Sequence, residues 1–285
     1  MTLTWAAARL AAPVSKRVAG IAASRLWFVP WRLRASDNTL SKWEAWLAGT
    51  ERWSPSGRLD IAGFRAGEGP TVLLVHGWAD RAATLGAFVE PLTHAGFQVI
   101  GIDMPAHGDS AGRRTDILEW AEVLRAAERD AGPFHAVIAH SVGAMAIGVA
   151  ISEGLEAESL ALIAPAVRMQ STLDRFRVQA RLSPRAVEGL VDDISRRFGA
   201  TVWEDFATDK LLRDRAASVL IVHDREDEQV PLTDGERLAD AIDAELVETS
   251  GLGHTKILRD RKVIERVCSF VVAAETPAKK IKVEV

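Results

Sequence analysis

The chain has 285 residues, 48% of them hydrophobic and 26% charged, with a formal net charge of −4. That composition excludes wholesale disorder and low-complexity fibres, and the length is ample for a sizeable core. A single cysteine, Cys268, excludes an intramolecular disulfide framework and a zinc site of several thiolates, and the charge gives no reason to expect nucleic acid as a partner.

The charge is unevenly placed. Residues 1–36 carry Arg9, Lys16, Arg17, Arg25, Arg32 and Arg34 and no acid. Six of the nine tryptophans (Trp5, Trp27, Trp31, Trp43, Trp46, Trp53) lie in the first 53 residues. Residues 1–57 therefore read as an N-terminal helical arm, distinct from the rest of the chain. Leu3, Leu10, Val14, Val18 and Ile21 share one helical face, with Arg9 and Lys16 roughly opposite. Packing of this arm on the rest of the protein is the favoured reading, because Pro13 and Pro30 interrupt the helix. The rival is a peripheral membrane contact through residues 1–36. Arg9, Lys16 and Arg17 break up any secretory apolar core, although an Arg-rich, acid-free start also resembles a transit peptide. One cysteine fits a reducing compartment, and a cytoplasmic location is expected.

From residue 58 the pattern becomes regular. Leu59–Phe64 reads as extended, and Gly67-Glu68-Gly69-Pro70 as a turn. Thr71–His76 is a short apolar run, the pattern of a strand covered on both faces. Helical spacing over Leu85–Ala95 precedes a second run, Phe97–Asp103. A helix over Ile117–Ala131 leads to the run His135–Ala139, another helix to Gly154, and the run Ser159–Ala164. Two later runs are Ser218–His223 and Ala244–Thr249. Ala131–Ser152 is uncharged for 22 residues, but Gly132-Pro133 and His140-Ser141 make it a strand-turn-helix rather than a membrane span. Strands alternating with amphipathic helices give a mostly parallel sheet flanked by helices. One interval breaks the alternation. Val167–Ala217 reads as helices over Leu173–Arg181, Pro184–Phe198 and Trp203–Arg215, a helical lid (168–217) inserted after the sixth strand. Ser183-Pro184 supplies an N-cap and a first-turn proline.

The strand at 135–139 runs into Ala139-His140-Ser141-Val142-Gly143, and a helix begins at once. A sharp strand-to-helix turn lifts a serine hydroxyl above a sheet, and it needs small residues two before and two after the serine. Ala139 and Gly143 meet that need. The bland rival is a serine that merely caps the helix. A nucleophilic serine needs a base, and the base needs an acid. His254 is the only histidine after 223, and Asp224, Glu226 and Asp227 are the acids after the strand at 218–223. The N–H of Val142, at the start of the helix, is one donor for an oxyanion.

Five motifs in order resemble the α/β-hydrolase fold family: His76-Gly77-Trp78, Asp103–Ser110, Ala139–Gly143, Asp227-Glu228-Gln229-Val230-Pro231 and Gly253-His254. The resemblance covers residues 58–274, which it implies are one catalytic domain; the Lys-rich 275–285 reads as a mobile tail. It implies an esterase- or lipase-like serine hydrolase with Ser141, Asp227 and His254 as triad, Asp227 being selected by its spacing from Val230-Pro231. It implies the N–H of Trp78 as second oxyanion donor, with the Trp78 ring beside the acyl pocket. His76 and His107 are expected to brace loops, and Ala106 stands where the family more often has glycine. His140, Phe176, Trp203 and Phe206 are expected near the substrate pocket, with packing the favoured role for His140, and no metal or cofactor is expected. A serine nucleophile argues against dehalogenases, epoxide hydrolases and dienelactone hydrolases. The expected substrate is a carboxylic ester of small to medium acyl chain. Alternatives are a membrane-associated lipase or lysophospholipase, a thioesterase, and a non-catalytic ligand-binding member.

Overall fold

A computed structural model describes residues 15–30, 36–57, 59–213 and 217–274. Among them, eight strands form one sheet in the order β1-β2-β4-β3-β5-β6-β7-β8. Strands β3 (Thr71–Val75), β4 (Gln98–Ile102), β5 (Phe134–His140), β6 (Ala157–Ile163), β7 (Ser218–Asp224) and β8 (Glu245–Thr249) run parallel. β1 (Glu51–Trp53) and β2 (Gly63–Ala66) add an antiparallel edge. Every residue of β3 and β5 is buried, because helices cover both faces. On one face Trp120, Leu124 and Ile147 pack with Val137 and Leu162. On the other, Phe88, Leu92, Val267 and Val271 pack with Leu74 and Ile138.

The helix Ile117–Ala131 forms where its apolar spacing predicts it. Asp116 caps it, accepting the N–H groups of Leu118 and Glu119 at 3.1 Å. The helix Pro184–Phe198 also has its predicted bounds, with the Ser183 hydroxyl accepting from the Ala186 N–H at 3.3 Å. Other boundaries differ from expectation. Ala82–Phe88 is a 3₁₀ segment, and the α-helix is only Val89–His94. The helix expected over Trp203–Arg215 is two short turns, Val202–Asp205 and Thr208–Leu211. Between them Ala207 is extended, and the Thr208 N–H bonds to the Val167 carbonyl instead of continuing a helix. Glu51–Trp53, assigned by the sequence to a helical arm, is the edge strand of the sheet.

Strand order reverses between β3 and β5. The chain leaves β3 toward β4 on one side, then crosses to β5 on the other. Such a reversal opens a crevice at the carboxyl ends of the two strands. Gly77-Trp78 comes after β3 and Ser141 after β5, so both border that crevice.

The helix Lys16–Trp27 lies across Pro184–Phe198, part of the insertion between β6 and β7. The contact is a close backbone approach: a Cβ on Gly20 would sit 2.2 Å from the Gly189 carbonyl carbon, and one on Gly189 2.4 Å from the Lys16 oxygen. The buried side of the helix is Ala19, Gly20, Ala23, Ser24 and, at its end, Leu26, and Val18, expected on the apolar face, is 53% exposed. Small residues permit the approach that larger ones would prevent. Leu3, Leu10, Val14 and the tail 275–285 lie outside the described residues. No described helix is long and apolar enough to cross a membrane.

Replacing a helical glycine by alanine ordinarily adds up to ~1 kcal/mol of stability. At Gly189 the backbone clash reverses the sign. Gly189→Ala is expected to destabilise by about 1–3 kcal/mol. The checks are a lower melting temperature and faster tryptic cleavage at Arg17 and Arg25.

Candidate active site

Ser141 sits at the turn from β5 into the helix Val142–Ser152, with φ 53° and ψ −122°. This backbone is costly for any residue with a side chain, by about 1–3 kcal/mol. Neighbours hold it. The Ser141 N–H donates to the Ile163 carbonyl at 3.1 Å, and the Ser141 carbonyl accepts from the Ala166 N–H at 3.1 Å. Gly143 must be glycine, because a Cβ there would meet the His76 carbonyl oxygen at 2.7 Å.

The hydroxyl of Ser141 lies 3.1 Å from Nε2 of His254, and Nδ1 of His254 lies 2.7 Å from Oδ2 of Asp227. The three side chains form one line, although 113 residues separate Ser141 from His254. The other carboxylate oxygen of Asp227 accepts the N–H groups of Gln229 (2.7 Å) and Val230 (3.0 Å). Asp224 does a different job. It accepts from the Thr249 hydroxyl (2.7 Å) and the N–H groups of Leu252 and Glu226, bracing the loop that carries His254. Glu226 is exposed and takes the Ser250 hydroxyl.

Burial pushes the Asp227 carboxyl up, but the nearby His223 imidazole, the hydrogen bond and charge of His254 and the Val230 N–H outweigh it and hold it well below the usual carboxylate range. Burial pushes the His254 imidazole below the ordinary histidine value, with Asp227 opposing. His254 is thus neutral at pH 7. Its Nδ1–H donates to Asp227, and its Nε2 lone pair faces the Ser141 hydroxyl.

Two further histidines fix the loop after β3. His76 Nε2 accepts the Met104 N–H at 2.9 Å, so Nδ1 carries the proton and donates to the Gly77 carbonyl at 2.7 Å. His107 Nε2 accepts the Ala79 N–H at 3.0 Å, and its Nδ1 donates to the Pro105 carbonyl at 2.9 Å. Both bracing expectations agree with this geometry. Ala106 has φ 64°, the backbone for which glycine is better suited. Between these braces, the N–H of Trp78 makes no hydrogen bond among the described residues, and neither does the N–H of Val142. Both residues line the cavity beside Ser141.

That cavity has a volume of about 450 Å³, within the ~300–1,000 Å³ usual for small-molecule sites. Phe176 and Phe206 line it. Trp203 does not: its indole N–H donates to the Ser195 hydroxyl at 2.9 Å, turning the ring toward the neighbouring helix. His140 does not either. It is buried behind the site, its Nε2–H donates to the His254 carbonyl at 3.0 Å, and the two rings lie 4.6 Å apart. Three features escaped the sequence reading. Leu26, Trp27, Phe28 and Val29 of the arm form one wall. His223 stands 3.6 Å from Asp227. Arg175 also lines the cavity. Thr172, Arg175, Phe176 and Gln179 all face it, an i, i+3, i+4, i+7 series that periodicity alone reveals.

A family model described as "Serine aminopeptidase, S33" matches residues 69–222, more than half the chain. The chain belongs to this α/β-hydrolase family. A second model, described as "TAP-like protein", matches residues 200–282. No curated protein matches the chain. Several solved structures share the fold. A monoacylglycerol lipase of Paleococcus ferrophilus is 21% identical with a TM-score of 0.59, covering 77% of this chain and 100% of its own. An esterase of Rhodococcus sp. ECU1013 is 17% identical with a TM-score of 0.61, covering 79% and 99%. A thermophilic esterase of Thermogutta terrifontis is 18% identical with a TM-score of 0.60, covering 80% and 99%. This S33-family chain is a hydrolase of the α/β fold.

The buried imidazoles of this hydrolase tie its stability to pH. Burial pushes His76 from 6.5 down to about 4, against a hydrogen bond to Gly77 that raises it. The unfolded chain takes up this proton first, so stability falls as pH drops from 6.5 toward 4. The contribution is about 3 kcal/mol at ~1.4 kcal/mol per unit. His76→Gln is expected to be less stable than wild type at pH 7. Its stability is expected to be flatter by about that amount over this window, as read from urea unfolding at a series of pH values.

Proposed function

We propose that the protein hydrolyses carboxylic esters of small to medium acyl chain through an acyl-enzyme. The observation that carries this reading is the unbroken line from Ser141 Oγ to His254 to Asp227, at 3.1 and 2.7 Å. In this reading Ser141 Oγ attacks the ester carbonyl as His254 Nε2 takes its proton. Asp227, ionised, stabilises the imidazolium and holds its orientation. The uncommitted N–H groups of Trp78 and Val142 receive the developing oxyanion, each donor worth about 3 kcal/mol. His254 then gives its proton to the leaving alcohol. Water repeats the sequence on the acyl-enzyme and releases the acid. His140 and Asp224 position His254 from behind, and His223 supports the Asp227 charge. The insertion at 168–217 and the arm together form the lid over this chemistry, excluding water and lining the acyl pocket. The single cysteine makes the cytoplasm the proposed location.

The family name suggests a second reading, cleavage at a free amino terminus. The cavity disfavours it. A substrate ammonium needs a carboxylate partner, and the only lining carboxylate among the described residues, Asp116, is occupied in capping a helix. The uncommitted charge there is the cation Arg175.

Two measurements test the proposal. Ser141→Ala is expected to lower kcat on p-nitrophenyl esters by at least about 10⁴-fold while leaving the fold intact. Unchanged turnover refutes the assignment. The acid limb of kcat/KM reports the free-enzyme His254, which must be neutral to act as base. Because burial lowers its pKa, activity is expected to rise through a midpoint below pH 6.5. A midpoint above 7 contradicts the assignment.

A further inference from the structure

The lining of the cavity is apolar apart from a few groups, and two of its residues are charged. Asp116 is committed as a helix cap, and Arg197 lies 3.9 Å from its second oxygen. Arg175 is different. It stands on the helix Met169–Gln179, one turn from Thr172 and Gln179, and shares the cavity with Ser141. No carboxylate reaches ion-pair distance of it among the described residues. Burial pushes its guanidinium below the usual arginine range, and the Asp227 charge across the site opposes this. Its charge in turn is felt by His254, so it stands close to the reacting centre.

The guanidinium is also oriented. With the Gln179 amide turned so that its oxygen faces Arg175, that oxygen accepts from Nε at 2.9 Å and from Nη2 at 3.3 Å. The opposite orientation would set N–H against N–H. Gln179 is neutral, so it steers the fork without cancelling its charge. A partly buried cation facing an apolar cavity is costly unless something pairs with it. A pocket for a wholly neutral acyl chain would gain nothing from one. The planar fork of arginine matches a carboxylate, and the pair is strongest where water is excluded.

We propose that Arg175, steered by Gln179, is a specificity subsite for a carboxylate borne by the ester substrate. This rests on the hydrolase reading and deepens it. The chemistry is unchanged: water adds across the ester C–O bond, and acid and alcohol leave. With the anion on the acyl part, the substrate is a monoester of a dicarboxylic acid and the product a dicarboxylate. With the anion on the alcohol part, the product is a hydroxy acid.

The full chain is assayed on monoethyl suberate, acetoxyhexanoate and the neutral diethyl suberate. One of the two anionic esters is expected to exceed the neutral ester in kcat/KM by about tenfold or more. Which one does so places the carboxylate on the acyl or the alcohol side. Arg175→Gln is expected to bring that ratio to about one, and Arg175→Lys to keep part of it. The ratio is internal, so a loss of folded protein does not move it. No anionic preference in wild type, or a preference that survives Arg175→Gln, overturns the subsite while leaving ester hydrolysis standing. A second arm does not need turnover. Suberate binding to the Ser141→Ala protein, read by calorimetry, is expected to weaken about tenfold or more when Arg175→Gln is added. If no ester is hydrolysed, the hydrolase reading fails, and suberate binding alone decides the subsite. Binding that depends on Arg175 upholds it, and absent or Arg175-independent binding overturns it.

Discussion

The left-handed backbone at Ser141 is the constraint around which the rest is arranged. It presents the hydroxyl at the carboxyl end of β5 and starts a helix in the next residue. A serine does not adopt φ 53° unaided, so the surroundings must hold it. Gly143 lets the helix pass under the His76 carbonyl. Hydrogen bonds to Ile163 and Ala166 anchor the turn to β6 and the segment after it. The sheet reversal at β3 and β5 sets Gly77-Trp78 across from it. A Cβ on Gly77 would approach Ser141 Cβ to 3.0 Å, so a small residue there allows the two loops to meet.

The second organising feature is a set of neutral, hydrogen-bonded imidazoles in a dry interior. Burial lowers the pKa of His76, His140 and His254 alike. Each then offers one donor and one acceptor in a fixed tautomer, which a charged ring cannot do. His76 uses both to join the loops after β3 and β4. His254 uses both to join a carboxylate to a hydroxyl. Residues of the insertion between β6 and β7 and of the N-terminal arm together line the cavity beside Ser141.

The legible part of this protein was local in sequence. Buried parallel strands read as unbroken apolar runs, and β3, β5, β6 and β7 stood out for that reason. Helices with strong caps, at Asp116 and Ser183, were placed to the residue. Ser141 and His254 were legible because each lies in a loop after a recognisable strand, whereas Asp227 was separated from Asp224 and Glu226 only by the resemblance of its Val230-Pro231 spacing to the family motif. What was not legible depended on packing between distant segments. Where the arm meets Gly189 it presents small residues, Ala19, Gly20 and Ala23, which carry little hydrophobic signal. Trp203 looked like pocket lining because aromatic residues favour pockets, but its N–H found Ser195 first. His140 carries no pattern that announces a bond to a carbonyl 114 residues away. The edge strand Glu51–Trp53 is too short and too exposed to register as an apolar run, and only its pairing with β2 defines it.

The central claim is that Ser141 is a nucleophile activated by His254. Its most direct test is reaction of the full chain with a fluorophosphonate, then mass-spectrometric mapping of the adduct. One adduct is expected, on Ser141, formed in wild type and absent in Ser141→Ala and in His254→Ala. An adduct on another residue, or an inert wild-type protein of native fold, would contradict the claim.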